Sequence, residues 1–266
     1  MEPYWKNDLV TVYNSDGRRT QFLPPGSVDL VVTSPPYYKC EHIWGDIWRD
    51  CGIKNFQDYN EWLKEFFVEW YRLLPEGHYV IVNTSNITEE EEAYNNKGWT
   101  SIGLEAAGFN FVDEIIWAKH KTTSMRYGVL VQNPYPRMYY PNQIHEVWFV
   151  YRKGRRVHDH SKWKDQDKLP AKSDSFLNQF RNDIWAFSTV SAKAIGHVTP
   201  FPEDMVSAFI SLYSFTGETV LDPFGGSGTT ALAAMKLGRK SIMFEIDGDY
   251  CDDMIGRINC EGLINV

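Results

Sequence analysis

The sequence predicts an α/β fold, a mostly parallel sheet with helices on both faces. Three observations carry that expectation. Short apolar runs rich in β-branched residues alternate with stretches of helical periodicity. The runs are apolar throughout instead of alternating with polar residues, which is the pattern of strands buried on both faces. The chain of 266 residues, 43% hydrophobic and 23% charged, is long enough to bury a large core without disulfide staples.

Taken in order, the first strand is expected at Val28–Thr33. Gln57–Leu74 is the clearest helix. Its residues Tyr59, Trp62, Leu63, Phe66, Phe67, Trp70, Leu73 and Leu74 recur at three- and four-residue steps, and Pro75-Glu-Gly77 ends it. The acidic run Glu89–Glu92 reads as a solvated loop or a helix start. Further strands are expected at Tyr79–Asn83, Val112–Trp117, Val147–Tyr151, Thr219–Leu221 and Ser241–Phe244. Helices are expected at Ser101–Ala107, Glu203–Ser214, Thr229–Leu237 and Asp249–Asn259. Residues 120–190 break this rhythm with Pro134, Pro136, Pro141, Pro170 and many Tyr and Trp, and beyond the strand near 147–151 little regular structure is expected there. Residues 39–56, with Trp44 and Trp48, read as a second loop. There is no internal repeat.

Charge is unevenly distributed. The whole chain carries a formal −8, yet the 13 Lys/Arg and five acids between Lys119 and Arg181 leave that stretch at +8 and the rest at −16. A polyanion is expected to dock on the middle segment. Four cysteines (Cys40, Cys51, Cys251, Cys260) match no metal-ligand spacing and read as reduced thiols of a cytoplasmic protein. Of seven histidines only His158 and His160 are close neighbours, so no metal site is expected. No signal peptide is recognisable at MEPYWKNDLV, and no apolar run approaches the roughly 20 residues that span a bilayer.

Two constellations carry chemistry. In Leu221-Asp-Pro-Phe-Gly-Gly-Ser-Gly-Thr-Thr230 a strand runs into a glycine-rich turn and then a helix, so backbone approaches a ligand closely beside free helix N–H groups. Gly226, Gly228 and Ala231 satisfy the loose G-x-G-x-x-G/A spacing, which equally suits NAD or a plain tight turn. No nucleotide-hydrolysing P-loop is present. Seventeen residues after Gly228, the run Ser241–Glu245 ends in an acid placed to grip a ribose diol. Asp247 and Asp249 read as helix-start residues.

In the second, Val28–Tyr38, a buried strand delivers Ser34-Pro35-Pro36-Tyr37 at its carboxyl end, where open α/β sheets place ligands. Two prolines remove two donors, so the turn presents acceptors. A hydroxyl, rigid carbonyls and an aromatic face suit a planar ring with an exocyclic amine. The amine would donate to Ser34 Oγ and the Pro35 carbonyl while Tyr37 stacks on the ring.

Thr33-Ser-Pro-Pro-Tyr37 followed far downstream by Asp222–Thr230 resembles the amino-methyltransferases of DNA, in the circularly permuted β group. The resemblance covers most of the chain and implies a Rossmann-like methyltransferase fold with a seven-stranded sheet. It implies a catalytic half at 1–119, a basic target-recognition insert at 120–190 and a cofactor-binding half at 191–266. It implies S-adenosylmethionine as cofactor, held by Asp8, Thr33, Phe201, Pro202, Asp222, Phe224, Gly225, Gly226, Gly228, Thr229, Thr230 and Glu245. Asn7-Asp8 resembles the acidic contact to the cofactor adenine, Asp113–Lys119 the strand closing the target-base pocket, and His197–Pro202 the cover of the methionine end. Gly238-Arg239 and Tyr250 match the family's closing elements. Tyr38 and the Trp44/Trp48 loop match nothing in it.

The implied catalytic residues are Ser34, Pro35, Pro36 and Tyr37. Serine at the motif's first position, rather than Asp or Asn, favours cytosine N4 over adenine N6. The base would be flipped out of double-stranded DNA, and the chain has no Pro-Cys of the C5-methylating kind. Arg126, Arg137, Arg152, Lys153, Arg155, Arg156 and Lys162 are the expected DNA contacts, with Asn142 and Gln143 as further readers of base edges. A cognate restriction endonuclease acting separately is an implied partner, and the oligomeric state stays open. The competing readings are an N6-adenine enzyme, an NAD-dependent oxidoreductase and an inactive DNA-binding module.

Overall fold

A computed structural model describes residues 1–38, 51–89, 92–119, 144–157, 167, 180–189 and 201–264. The strands are β1 (Trp5–Lys6), β2 (Val10–Asn14), β3 (Leu30–Thr33), β4 (Tyr79–Thr84), β5 (Ile87–Glu89), β6 (Glu92–Tyr94), β7 (Phe109–Lys119), β8 (His145–Lys153), β9 (Ile184–Phe187), β10 (Thr219–Asp222) and β11 (Lys240–Glu245). The helices are α1 (Phe56–Leu73), α2 (Asn96–Ala106), α3 (Glu203–Tyr213), α4 (Thr229–Lys236) and α5 (Gly248–Ile264).

Every expected strand and helix is found, most of them a residue or more longer. The differences lie at the margins. The main sheet has nine strands among the described residues, in the order β1-β2-β11-β10-β3-β4-β8-β7-β9, where seven were expected. The two-residue β1 and the four-residue β9 are its edges. Both are too short to show a period in the sequence. β9 also gives the middle segment a second strand where little regular structure was expected. Of the acidic run at 89–92, Glu89 and Glu92 are paired strand residues of β5 and β6, not a helix start, and the two residues between them lie outside the described residues.

The core splits by the two-residue period of the strands. Val31, Val80, Val82, Phe149, Tyr151, Leu221 and Phe244 face α1 and α2. Leu30, Val32, Ile81, Trp148, Val150 and Val220 face α3 and α4. Each such fully buried large side chain contributes roughly 1.5–3 kcal/mol of transfer free energy. α1 starts where Asn55 accepts from the Asp58 N–H at 2.9 Å. α4 is built differently: Ala231, Ala233 and Ala234 are all buried, and small side chains let this helix lie close to sheet, α3 and α5 together.

β2, β11, β10, β3 and β4 are parallel, so Asn14, Glu245, Asp222, Thr33 and Thr84 end on one edge of the sheet. β8 runs antiparallel to β4 and β7 antiparallel to β8, which brings Glu146 and Lys119 to the same edge. The chain leaves β10 toward β11 through α4 on one face. It leaves β3 toward β4 through α1 on the other. The strand order therefore reverses between β10 and β3, and such a switch point opens a crevice at the carboxyl ends. β2, from the start of the chain, pairs with β11 near its end, so one sheet interleaves both.

Candidate active site

The two sequence constellations meet at the switch point. Asp222, the last residue of β10, is 1% exposed. Its Oδ1 accepts from Thr33 Oγ1 at 2.6 Å and from the Phe224 N–H at 3.0 Å, and its Oδ2 accepts from Thr230 Oγ1 at 2.7 Å. Burial pushes this carboxyl above its ordinary pKa, against the lowering effect of those three bonds. One side chain thus ties the end of β3, the glycine turn and the first turn of α4 into one unit. Thr33 and Thr230 are themselves fully buried. The three side chains expected as cofactor contacts bond one another inside the chain and so position the two turns.

The glycine turn is shaped from both sides. Gly228 adopts φ +80° at the start of α4, and a Cβ there would lie 2.3 Å from Met254 of α5, so only glycine fits. Arg257, also on α5, donates to the Ser227 carbonyl. Phe224 is packed against Phe66 and Trp62 of α1 with ring centroids 4.6 and 5.8 Å away. Thr229 is buried in the first turn of α4.

Beside the turn, Glu245 ends β11. Its Oε2 accepts from the Gly226 N–H at 2.8 Å and its Oε1 from the Asp247 N–H at 2.9 Å. Burial raises its pKa. Each oxygen keeps a further lone pair, so the carboxylate can still receive two hydroxyl groups. A cleft of about 580 Å³ opens at the ends of β2 and β11, lined by Asn14, Ser15, Asp16, Arg18, Ile246 and Asp247 among others. Asp16 is held by Arg18 at 2.6 Å, which keeps its carboxyl below the usual range despite burial. Asp247 caps α5 by accepting from the Asp249 N–H at 2.8 Å, as a helix-start residue should.

Asp8 is not part of this cleft. It is an exposed residue in the Asn7 turn that precedes β2, at the end of the sheet opposite the crevice. The acid at the carboxyl end of β2 is Asp16, which sequence reasoning passed over. The signal was there: an apolar strand Val10–Tyr13 followed at once by Asn14-Ser-Asp16.

On the other side of Asp222, Ser34–Tyr37 turns away from β3. Tyr59 of α1 donates to the Pro36 carbonyl at 3.1 Å, pinning the turn. Pro35 is buried, and Ser34 and Tyr37 are partly exposed. Ser34 Oγ donates to Asn83 Oδ1 at 3.2 Å, and the Tyr37 hydroxyl donates to the same oxygen at 2.7 Å and lies 3.2 Å from Glu146 Oε2. Glu146 is paired in turn with Lys119. Burial and the Glu146 charge push the Tyr37 phenol well above its usual pKa, against a lowering effect of the Ser34 hydroxyl. Asn83 and Glu146 are the residues here that the sequence left unnamed, since neither sits in a motif; Lys119 ends the segment Asp113–Lys119 expected to close the target-base pocket. Tyr38 is core: its ring packs 5.0–5.7 Å from Phe56, Tyr59 and Tyr94. Phe201 lies 5.7 Å from Trp148, and Pro202 begins α3 at this edge of the sheet.

The basic cluster is placed elsewhere. Arg152 pairs with Tyr79 at the start of β4, at the edge opposite the crevice, six residues or about 20 Å along β8 from Glu146. Lys153 caps α1, its Nζ donating to the Tyr71 and Leu74 carbonyls at 2.6 and 2.7 Å. Arg152 donates to Gly154, and the Arg155 N–H to Glu76. Arg152, Lys153, Arg155 and Arg156, expected as DNA contacts, thus sit toward the edge of the sheet opposite Ser34–Tyr37. Arg126, Arg137, Asn142, Gln143, Lys162, His158, His160, His197, Cys40 and the Trp44/Trp48 loop lie outside the described residues. At this far edge Asp29, His78 and Glu218 also converge; burial lowers the imidazole pKa, but hydrogen bonds to Asp29 and the Glu76 carbonyl, with the two acid charges, outweigh it and leave it raised. Among the described residues no helix is long and apolar enough to cross a membrane.

Comparison with known proteins gives the family and the fold. The family model described as DNA methylase, of the N6/N4 methyltransferases, matches residues 28–256. The chain is 30% identical to the type II methyltransferase M.MthZI of Methanothermobacter thermautotrophicus over 93% of this chain and 76% of that protein. Among solved structures it is similar to TTHA0409, a putative DNA modification methylase of Thermus thermophilus complexed with S-adenosyl-L-methionine. That match has a TM-score of 0.73 and 24% identity, and covers 92% of this chain and 91% of the other. The cytosine-N4-specific PvuII DNA methyltransferase superposes with a TM-score of 0.70 at 18% identity, covering 95% and 87%. A turn of acceptors joined to a glycine loop through one buried aspartate, on a chain matched over most of its length, has one conclusion: this protein belongs to the N6/N4 DNA methylase family.

Proposed function

We propose that this protein moves a methyl group from S-adenosylmethionine to the N4 amine of a cytosine flipped out of double-stranded DNA. The observation that carries the reading is the 2.6 Å bond between Thr33 and Asp222, which sets the acceptor turn beside the glycine turn. The residues present fit the cofactor. The cleft is of ligand size, Glu245 has lone pairs for a ribose diol, and the start of α4 offers N–H groups to a carboxylate. Asp16, at the carboxyl end of β2, takes the adenine-side role first given to Asp8.

The cofactor supplies an electrophilic methyl on a sulfonium. The chain supplies position and fixed dipoles. An exocyclic amine is a poor nucleophile because its lone pair is conjugated with the ring. Ser34 Oγ and the Pro35 carbonyl each accept one amine N–H and draw that pair out of the ring. Bound there, the cofactor would supply the methyl carbon for the N–C bond and would keep the C–S bonding pair on its sulfur. The methylated nitrogen would hold one proton too many, which would pass to solvent. Tyr37 offers its ring in place of lost base stacking, on the order of 1–3 kcal/mol.

Incubation with mixed-sequence duplex DNA and S-adenosylmethionine, followed by digestion and mass spectrometry of the nucleosides, tests this. N4-methyldeoxycytidine is expected. N6-methyldeoxyadenosine would keep the family and overturn the base. Neither product would overturn methyl transfer to DNA altogether.

DNA contact is assigned to residues 120–143, including Arg126 and Arg137, because Lys119 and Ile144 flank them at the crevice edge. The double variant Arg155→Glu/Arg156→Glu should leave DNA affinity and its salt slope unchanged. Arg126→Ala and Arg137→Ala should each reduce the slope by about one. The opposite pattern in a salt titration would return the interface to the far edge.

A further inference from the structure

Asn83 sits at the centre of the acceptor turn without belonging to any motif. It is on β4, 2% exposed, and its Nδ2 donates to the Val147 carbonyl of β8 at 3.1 Å. That bond settles which way the carboxamide faces. Turned over, its oxygen would confront a carbonyl oxygen. As placed, Oδ1 receives Ser34 at 3.2 Å and Tyr37 at 2.7 Å, and an amide oxygen has two lone pairs to offer.

The consequence falls on Ser34. A serine hydroxyl is both donor and acceptor, and its proton rotates toward whichever acceptor is nearest. Facing a target amine or the ring nitrogen next to it, a hydroxyl that donates would withdraw the electrons the reaction needs. A carboxylate at position 34 would have no such ambiguity, being acceptor-only. Serine needs its proton taken elsewhere, and the carboxamide fixed by β8 takes it.

We propose that Asn83 is a positioning residue that makes Ser34 an obligate acceptor for the target amine. Tyr37 shares the same oxygen, and the Glu146–Lys119 pair holds the phenol from its other side. The proposal rests on the reading that Ser34 faces the target amine.

A double-variant cycle on the full-length protein tests it, with single-turnover methyl transfer to duplex DNA as the rate. Asn83→Leu keeps the branching at Cγ and has no acceptor. It should lower the rate on the order of 10–100-fold while the Kd for S-adenosylmethionine stays within about twofold. In the Ser34→Ala background the same change should add almost nothing, since there is no hydroxyl left to orient. Asn83→Asp, whose buried carboxyl can stay protonated, donates to the Val147 carbonyl through its O–H and accepts from Ser34 through the other oxygen, so it should retain at least roughly a third of the parent rate. It also serves as the readout if Asn83→Leu fails to fold. Multiplicative losses in the double variant would overturn the proposal, as would an Asn83→Asp rate as low as that of Asn83→Leu. An inactive parent protein would instead sink the reading of function, and this inference with it.

Discussion

Asp222→Ala is expected to lower the melting temperature by on the order of 10 °C and to abolish methyl transfer in the same step. Three donors (Thr33 Oγ1, Thr230 Oγ1 and the Phe224 N–H) would lose their acceptor in a site closed to water. A buried donor left unsatisfied costs about 1–3 kcal/mol, and in a domain of this size each kcal/mol moves Tm by roughly 2–4 °C. Because the residue joins the acceptor turn to the glycine turn, cofactor affinity and turnover should fall together. Calorimetry alongside a cofactor titration checks this. Loss of affinity at an unchanged Tm would mean that Asp222 touches the ligand after all.

Ser34→Ala should separate what Asp222→Ala combines. The hydroxyl packs no core and gives its proton to the Asn83 oxygen, so stability and cofactor affinity should stay near the parent values. Turnover should fall about 10²–10³-fold, the range for deleting one preorganised dipole that acts on the reacting group. Glu245→Ala should do the reverse, weakening the cofactor first. Equal loss of cofactor affinity in Ser34→Ala would place the target pocket elsewhere.

Much of this is legible in the order of the residues. Strands buried on both faces announce themselves as apolar runs, and α1 announces itself through eight apolar residues on one stripe. The acceptor turn and the glycine turn are readable because proline and glycine impose backbone chemistry that few other contexts require. What escapes depends on strand direction, which a local window does not contain. Asp8 and Asp16 flank the same strand, and only the parallel pairing of β2 with β11 tells which of them reaches the crevice. Arg152–Arg156 resembles a phosphate clamp by charge alone, but the antiparallel pairing of β8 with β4 carries it to the far edge. Asn83, Glu146 and Lys119 come from three strands and share no spacing. The carboxamide is an ordinary strand-end residue in one dimension and a hub only in three.

The placement of β10 has a consequence for how the protein is made. This strand lies between β3 and β11 in the middle of the sheet, yet it is residue 219 before it begins. Until then β3 lacks one of its two neighbours, and β2 lacks β11 altogether. A nascent chain of some two hundred residues therefore leaves the ribosome with apolar strand edges unpaired, the state most exposed to mispairing. The same late closure bears on the site: the glycine turn, Asp222 and Glu245 arrive together, long after the acceptor turn they must meet.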